Sequence, residues 1–236
     1  MPASVDLALL ERWLTGWSRA RGLPLPRHAG GGLVVDAGLP DQLRRHCFMD
    51  AGTALRDCAA GIDLPFIHLK AAVDAGTLLR ALPPHWTLEE PRYLMACAGP
   101  MAPARALPAG FDVALGVVHG AWRICVTDAT GTVAASGCIV LHAGTAVFDR
   151  IETSVLYRRK GLASALMLAL DRLAIQSGAS ERLLVATEAG VPLYTSLGWR
   201  HLAPWSTAVS RQGAAWQHSF WPETPYRGNV DGSTIT

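Results

Sequence analysis

Thr153-Ser154-Val155-Leu156-Tyr157-Arg158-Arg159-Lys160-Gly161-Leu162-Ala163-Ser164 takes the chain from a strand, through a basic turn, into a helix. The strand signal is the stretch from Ala146 to Val155, with Val147, Phe148, Ile151, Thr153 and Val155 as its β-formers. The helix signal is Leu162, Leu166, Leu170 and Leu173 at helical spacing. The first turn of a helix leaves backbone N–H groups unpaired and carries partial positive charge, and a glycine there lets a bulky anion approach the backbone. Gly161, Ala163 and Ser164 keep this end uncrowded, and Arg158, Arg159 and Lys160 add charge beside it. Lys70 and Lys160 are the only lysines in an arginine-rich chain, so a lysine in such a place stands out from the background. The physics predicts a phosphate site; on these residues alone, an ordinary basic surface turn is the competing reading.

Downstream, Pro192-Leu193-Tyr194-Thr195-Ser196-Leu197-Gly198-Trp199 sets a tyrosine on a short helix that ends in Gly-Trp. Taken in order, Arg158-x-x-Gly161-x-Ala163 and this second stretch resemble the two signatures of the GNAT superfamily of acyl-CoA-dependent N-acetyltransferases. The resemblance runs from about Phe111 to Phe220 and implies an α/β (α+β) fold, a mixed, mostly antiparallel sheet flanked by helices.

The resemblance also implies a chemistry. Acetyl-CoA is the expected co-substrate, with its pyrophosphate on the turn formed by Arg158, Arg159, Lys160, Gly161, Leu162, Ala163 and Ser164. The backbone of Thr153, Ser154 and Val155 is expected to pair with the pantetheine arm and polarise the thioester carbonyl. Tyr194 matches the tyrosine that protonates the departing thiolate. Many members carry an asparagine seven residues before that tyrosine; here the position is Thr187, whose hydroxyl can still donate and accept. An amine acceptor, either a small molecule or a peptide, must also lose a proton, and Asp149 and Glu152 are the carboxylates on the strand. Strand alternation predicts that they face opposite sides, and adjacency to Thr153 favours Glu152. Two alternatives share the fold: an acyl-CoA sensor without turnover, and an aminoacyl-tRNA-dependent transferase.

Composition narrows the remaining classes. A net charge of +2 is too small to imply a nucleic-acid partner. The five cysteines are scattered with no C-x-x-C pair and read as reduced thiols, and the eight histidines show no short metal-ligand spacing, so no metal is expected. Asp6, Glu11 and Arg12 interrupt the apolar pattern of the N-terminus, which is wrong for a signal peptide. No apolar run approaches the length of a membrane span. A cytoplasmic enzyme away from membranes is the expectation. Gly30-Gly31-Gly32 precedes a strand and is not a dinucleotide loop, and no G-x-S-x-G elbow is present.

The first hundred residues exceed what one such domain needs. Val5, Leu9, Trp13 and Trp17 recur every four residues and predict an amphipathic helix packed on a core. Strands are expected at Leu33 to Val35, around His46 to Met49, at Phe66 to Leu69 and at Tyr93 to Cys97, with a helix from Ala72 to Leu82. The stretch from Gly99 to Gly110, rich in Pro and Gly, marks the expected boundary. The division is therefore an N-terminal α/β region over 1–100, an acyltransferase domain over 101–221 and a flexible tail over 222–236. The N-terminal region reads as a degenerate second copy of the fold, packed against the first with an acceptor site formed at the seam, or as an unrelated cap; resemblance to tandem members favours the copy. Beyond the boundary, an antiparallel meander is expected from Val113 to Leu141, a buried strand at Leu183 to Ala186, and closing strands at Trp199 to Val209 and Ala214 to Phe220.

Overall fold

The computed structural model describes residues 5–103 and 106–211. Asp6 opens α1 (Leu7–Arg19) by accepting a hydrogen bond from the Leu9 N–H at 2.7 Å. Leu9, Leu10, Trp13, Leu14 and Trp17 are buried, as the stripe predicts. Three antiparallel strands follow: β1 (Arg27–Ala29), β2 (Gly32–Leu39) and β3 (Gln42–Phe48). Helix α2 (Thr53–Ala60) then crosses to β4 (Ile67–Ala71), which runs parallel to β3. Helix α3 (Ala75–Arg80) is shorter than expected because Asp74 caps it, accepting from the Thr77 N–H at 2.9 Å. β5 (Trp86–Leu88) and β6 (Arg92–Cys97) complete this part.

The expected meander is present as β7 (Phe111–Val118), β8 (Ala121–Asp128) and β9 (Val133–His142). β10 (Thr145–Thr153) pairs antiparallel with β9 and runs through a short 3-10 turn at Val155–Tyr157 into α4 (Leu162–Gln176). β11 (Glu181–Thr187) returns parallel to β10 and leads to α5 (Val191–Ser196). The single strand expected over Trp199 to Val209 is two, β12 (Arg200–Pro204) and β13 (Ser206–Ser210), which belong to different sheets. The chain changes sheet at Trp205, whose N–H donates to the Arg92 carbonyl at 2.8 Å. The strand expected at Ala214 to Phe220 and the tail over 222–236 lie outside the described residues.

Two mostly antiparallel sheets flanked by helices result, which is the expected fold class. One has the order β1-β2-β3-β4-β13-β5, the other β12-β6-β11-β10-β9-β8-β7. Each sheet holds a strand from the opposite side of the Gly99 to Gly110 stretch: β6 lies between β11 and β12, and β13 between β4 and β5. Helix α1 packs between the sheets, its Trp13 edge-on to Trp205 with ring centroids 5.2 Å apart. Gly16 lets it sit directly on β10, since a Cβ there would meet Val147 at 2.4 Å. Helix α4 covers the other face of the second sheet, burying Leu162, Leu166, Met167 and Leu170 with Phe148 and Trp199. Helices α2 and α3 cover the outer face of the first. No helix among the described residues is long and apolar enough to cross a membrane.

Candidate active site

Parallel strands β10 and β11 pair at only three positions, Thr145 with Glu181, Ala146 with Arg182 and Val147 with Leu183, and then part. Each keeps its outer partner: β10 stays on β9 as far as Thr153, and β11 stays on β6 as far as Thr187. A V-shaped gap therefore opens inside the sheet, edged by backbone groups that neither ladder consumes. The Ser154 N–H turns toward β9, donating to the Ala134 carbonyl at 2.9 Å, so by alternation the N–H of Thr153 points into the gap.

A groove of about 570 Å³ lies at this gap. Its walls bring together Glu152, Thr153, Ser154, Val155, Arg158 and Ala163 from the β10–α4 connection with Thr187 and Tyr194 from across the opening. Arg159, Lys160, Gly161, Leu162, Ser164 and Asp149 do not line it. Gly161 acts through its backbone: at φ 81° it is left-handed, a conformation costly for other residues, and it hands the chain into α4. No side chain caps that helix, and its first intrahelical bond runs from the Ala165 N–H to the Gly161 carbonyl at 3.1 Å. The N–H groups of Leu162, Ala163 and Ser164 are thus left for a ligand or solvent. The Leu162 side chain is buried in the core, so that residue contributes backbone alone. Lys160 turns away from the groove, its Nζ 5.1 Å from the Tyr157 ring centroid and 6.0 Å from that of Phe111.

The two carboxylates correct one expectation. Asp149 lies opposite Cys138 and Glu152 opposite Ser136, so three steps on β10 span two on β9. The bulge falls at Arg150, which adopts φ 53°. Directly paired residues share a face, and Ser136 and Cys138 are two apart, so Asp149 and Glu152 lie on the same face and not on opposite ones. They are separated by pairing. Asp149 is in ion-pair contact with Arg21 of α1, whereas Glu152 is exposed on the groove wall.

Tyr194 is buried against Gly190 and Trp199, and a Cβ at Gly190 would meet its ring at 2.9 Å. Burial, with a smaller contribution from the Asp149 charge, pushes its phenol up to about 12. It therefore carries its proton at every physiological pH. Thr187 turns the chain into α5 by accepting from the Gly190 N–H at 3.1 Å, and its own hydroxyl proton remains available to donate.

Residues 100–199 match the model of the acetyltransferase (GNAT) family. The chain carries a GNAT-family acetyltransferase domain. No match was found among curated proteins. Among solved structures, it is similar to a GCN5-related N-acetyltransferase from Kribbella flavida at a TM-score of 0.63 and 14% identity, covering 89% of this chain and 98% of that one. A putative acetyltransferase of the GNAT family from Novosphingobium aromaticivorans aligns at 0.55 and 17% identity, over 85% of this chain and 96% of that one. A tandem GNAT protein from the clavulanic acid biosynthesis pathway aligns at 0.50 and 14% identity, over 67% and 68%. At such identities the likeness is one of fold. An acyltransferase enzyme is what the GNAT domain makes of this chain.

A second cavity, Asp149 apart, is built of residues that the sequence did not assign to a site. It measures about 280 Å³ and lies between the two sheets beside α1, lined by Arg21, Arg45, Lys70, Glu89, Arg92 and Asp149 with three tryptophans. Among the others, Lys70 stood out in the sequence as the only lysine outside the turn.

Proposed function

We propose that the chain transfers an acetyl group from acetyl-CoA to a primary amine, by direct attack while both are bound. The observation that carries this reading is the gap between β10 and β11, which offers unpaired strand edges to an extended arm and ends at a helix N-terminus with free N–H groups. Thr153 and Val155 would pair with the pantetheine arm, Ser154 would line the groove with its backbone held by Ala134 and Tyr157, and Thr187 would reach the arm from the opposite wall. The first turn of α4, with Arg158, would receive the pyrophosphate. Acetyl-CoA supplies an activated thioester carbonyl; everything else is the work of the chain.

Three tasks fall to its residues. Backbone N–H groups of β10 polarise the carbonyl at no reorganisation cost, because the ladder to β9 already fixes them. Glu152, directly or through water, takes the ammonium proton, since Asp149 is held by Arg21. Tyr194 donates to the sulfur as charge develops there. A phenol at about 12 is unfavourable as an acid toward an ordinary thiolate near 8.5 by about 5 kcal/mol. The same burial that raises the phenol raises a departing thiolate, which narrows that difference. The N-terminal half supports reading it as a degenerate copy: β2, β3, α2 and β4 repeat the succession β9, β10, α4 and β11, including the parallel return.

Tyr194→Phe tests the assignment. Turnover of acetyl-CoA with an accepted amine is expected to drop about 100-fold in kcat while acetyl-CoA affinity, measured by calorimetry, stays put. An unchanged kcat would remove Tyr194 from the reaction. Acetyl-CoA binding without turnover on any amine would favour a sensor.

A further inference from the structure

The cavity between the sheets adjoins the gap from the α1 side. Extending the β10–β11 register beyond Val147 and Leu183 makes Phe148 with Leu184 the first pair that fails to form and Asp149 with Val185 the second, and both members of that second pair line this cavity. Tyr194, on the groove, is within electrostatic reach of Asp149, in the cavity. Groove and cavity thus meet at the same opening in the sheet.

The charge inside is lopsided. Four basic side chains, Arg21, Arg45, Lys70 and Arg92, face two carboxylates. Asp149 is engaged by Arg21, and Glu89 is divided between Lys70 at 3.9 Å and His68 at 3.7 Å. That leaves Arg45 and Arg92 without a carboxylate within 4.0 Å among the described residues. Arg45 is the more telling of the two. It is 8% exposed, its guanidinium lies 3.6 Å from the Trp17 ring centroid, and its fork donates to Gln42 Oε1 at 3.0 Å. Its Nε is buried with no hydrogen-bond partner, as is Nδ1 of His68, its cross-strand neighbour on β4. A ring face and one amide oxygen are poor compensation for a buried guanidinium. Lys70 Nζ, in turn, is anchored by Thr207 Oγ1 at 2.7 Å and stands in the same wall. The unpaired Arg45 Nε–H, with the Lys70 ammonium in the same wall of one cavity, describes an anion receptor.

We propose that this cavity is the acceptor pocket and that the acceptor is a small amine bearing a carboxylate, an amino acid in the broad sense, with its carboxylate held by Arg45 and Lys70. The inference rests on the acetyl-transfer reading given above. The volume of about 280 Å³ admits a molecule of amino-acid size. With the acid group at the Arg45 end, the amine extends toward Asp149 and the gap. The step balances: the amine nitrogen forms a bond to the acetyl carbon, the carbon–sulfur bond breaks, and one nitrogen proton leaves through the base. The sulfur takes a proton as the free thiol, and the product is an N-acetylated acid. Arg45 and Lys70 position the acceptor and take no part in bond making.

Matched pairs of amines test the proposal, each amino acid against its own carboxamide, over a series of chain lengths. The acid is expected to exceed its amide by about 100-fold in kcat/KM. Arg45→Met and Lys70→Met are expected to reduce that ratio at least about tenfold through KM, with Arg45→Lys retaining part of it. Amides used as well as acids, or a ratio untouched in both folded variants, would overturn the proposal. Two binding titrations on the full chain separate it from the reading beneath it. Acetyl-CoA bound with no carboxylate bound at about 10 mM sinks the acceptor assignment alone. Carboxylate binding that Arg45→Met abolishes, with acetyl-CoA not bound at all, sinks the acetyl-transfer reading and leaves the receptor standing.

Discussion

The β3–α2–β4 and β10–α4–β11 units share one connectivity, a strand, a crossover helix and a parallel return, yet only the second is open. β3 and β4 pair at every position from Arg44 with Ile67 to Phe48 with Ala71, whereas β10 and β11 part after three. The first ladder uses its backbone groups within the sheet and leaves no edge for a ligand. The helix starts differ in the same sense. Gly161 before α4 is left-handed at φ 81°, while Gly52 before α2 has an ordinary φ of −75°. What distinguishes the unit that can bind from the unit that supports is therefore where the ladder stops and how the chain enters the helix.

The open unit needs bracing behind the gap. Asp171 of α4 and Arg182 of β11 form a buried pair at 2.5 Å, and Asp171 also accepts from the Met101 N–H at 3.1 Å. No ion pair among the described residues joins α2 to β4. Replacing Asp171 with Ala strands a buried guanidinium and is expected to cost about 3–5 kcal/mol in denaturant unfolding, more than replacing the exposed Arg56 or Asp57 of α2 with Ala.

Lys70 sharpens the contrast on the side of the closed unit. Burial first, then the Arg45 charge, holds its ammonium down at about 7, from 10.5; Glu89 and Cys47 oppose that and Arg92 adds to it. Above about 7 the unfolded chain keeps this proton and the folded one sheds it, so stability rises with pH. The thiols of Cys47 and Cys138, raised by burial to about 11, act oppositely above 9, which makes pH 7 to 9 the window to measure. A gain of up to about 1.4 kcal/mol per pH unit is expected there, and Lys70→Met is expected to flatten it. A bound carboxylate is expected to flatten it too, by favouring the charged lysine.

The smallest effects come from the two glycines. Gly161→Ala is expected to cost about 1–2 kcal/mol and to weaken acetyl-CoA binding about tenfold, because the left-handed turn sets the helix entrance. Gly52→Ala brings a Cβ within 2.7 Å of the Asp50 carboxylate, which can swing aside. It is expected to cost about 0.5 kcal/mol or less and to leave acetyl-CoA affinity unmoved. Equal effects at both sites would erase the proposed difference between the units.

Much of this was legible in the residues. The Trp13–Trp17 stripe, the meander and the basic turn each follow a local period or a turn chemistry, and they fold as that chemistry dictates. The gap was not legible, because nothing in the side chains of Phe148 to Thr153 announces that a parallel partner will leave. The bulge at Arg150 inverted the expected facing of Asp149 and Glu152, since a period-two argument has no term for an inserted residue. Helix α2 escaped notice because it buries only Leu55 and Ala59. The exchange of β6 and β13 between sheets is a long-range pairing that no local signal carries. For the same reason the lining of the cavity, assembled from α1, β3, β4, β6, β10 and β11, surfaced in the sequence only as Asp149 and one uncommon lysine.

Calorimetric titration of the full chain with acetyl-CoA tests the central claim most directly. Binding with a dissociation constant well below about 1 mM, weakened by Gly161→Ala and indifferent to Gly52→Ala, is the result the open unit predicts. No heat of binding at about 1 mM, with the chain folded, would contradict it.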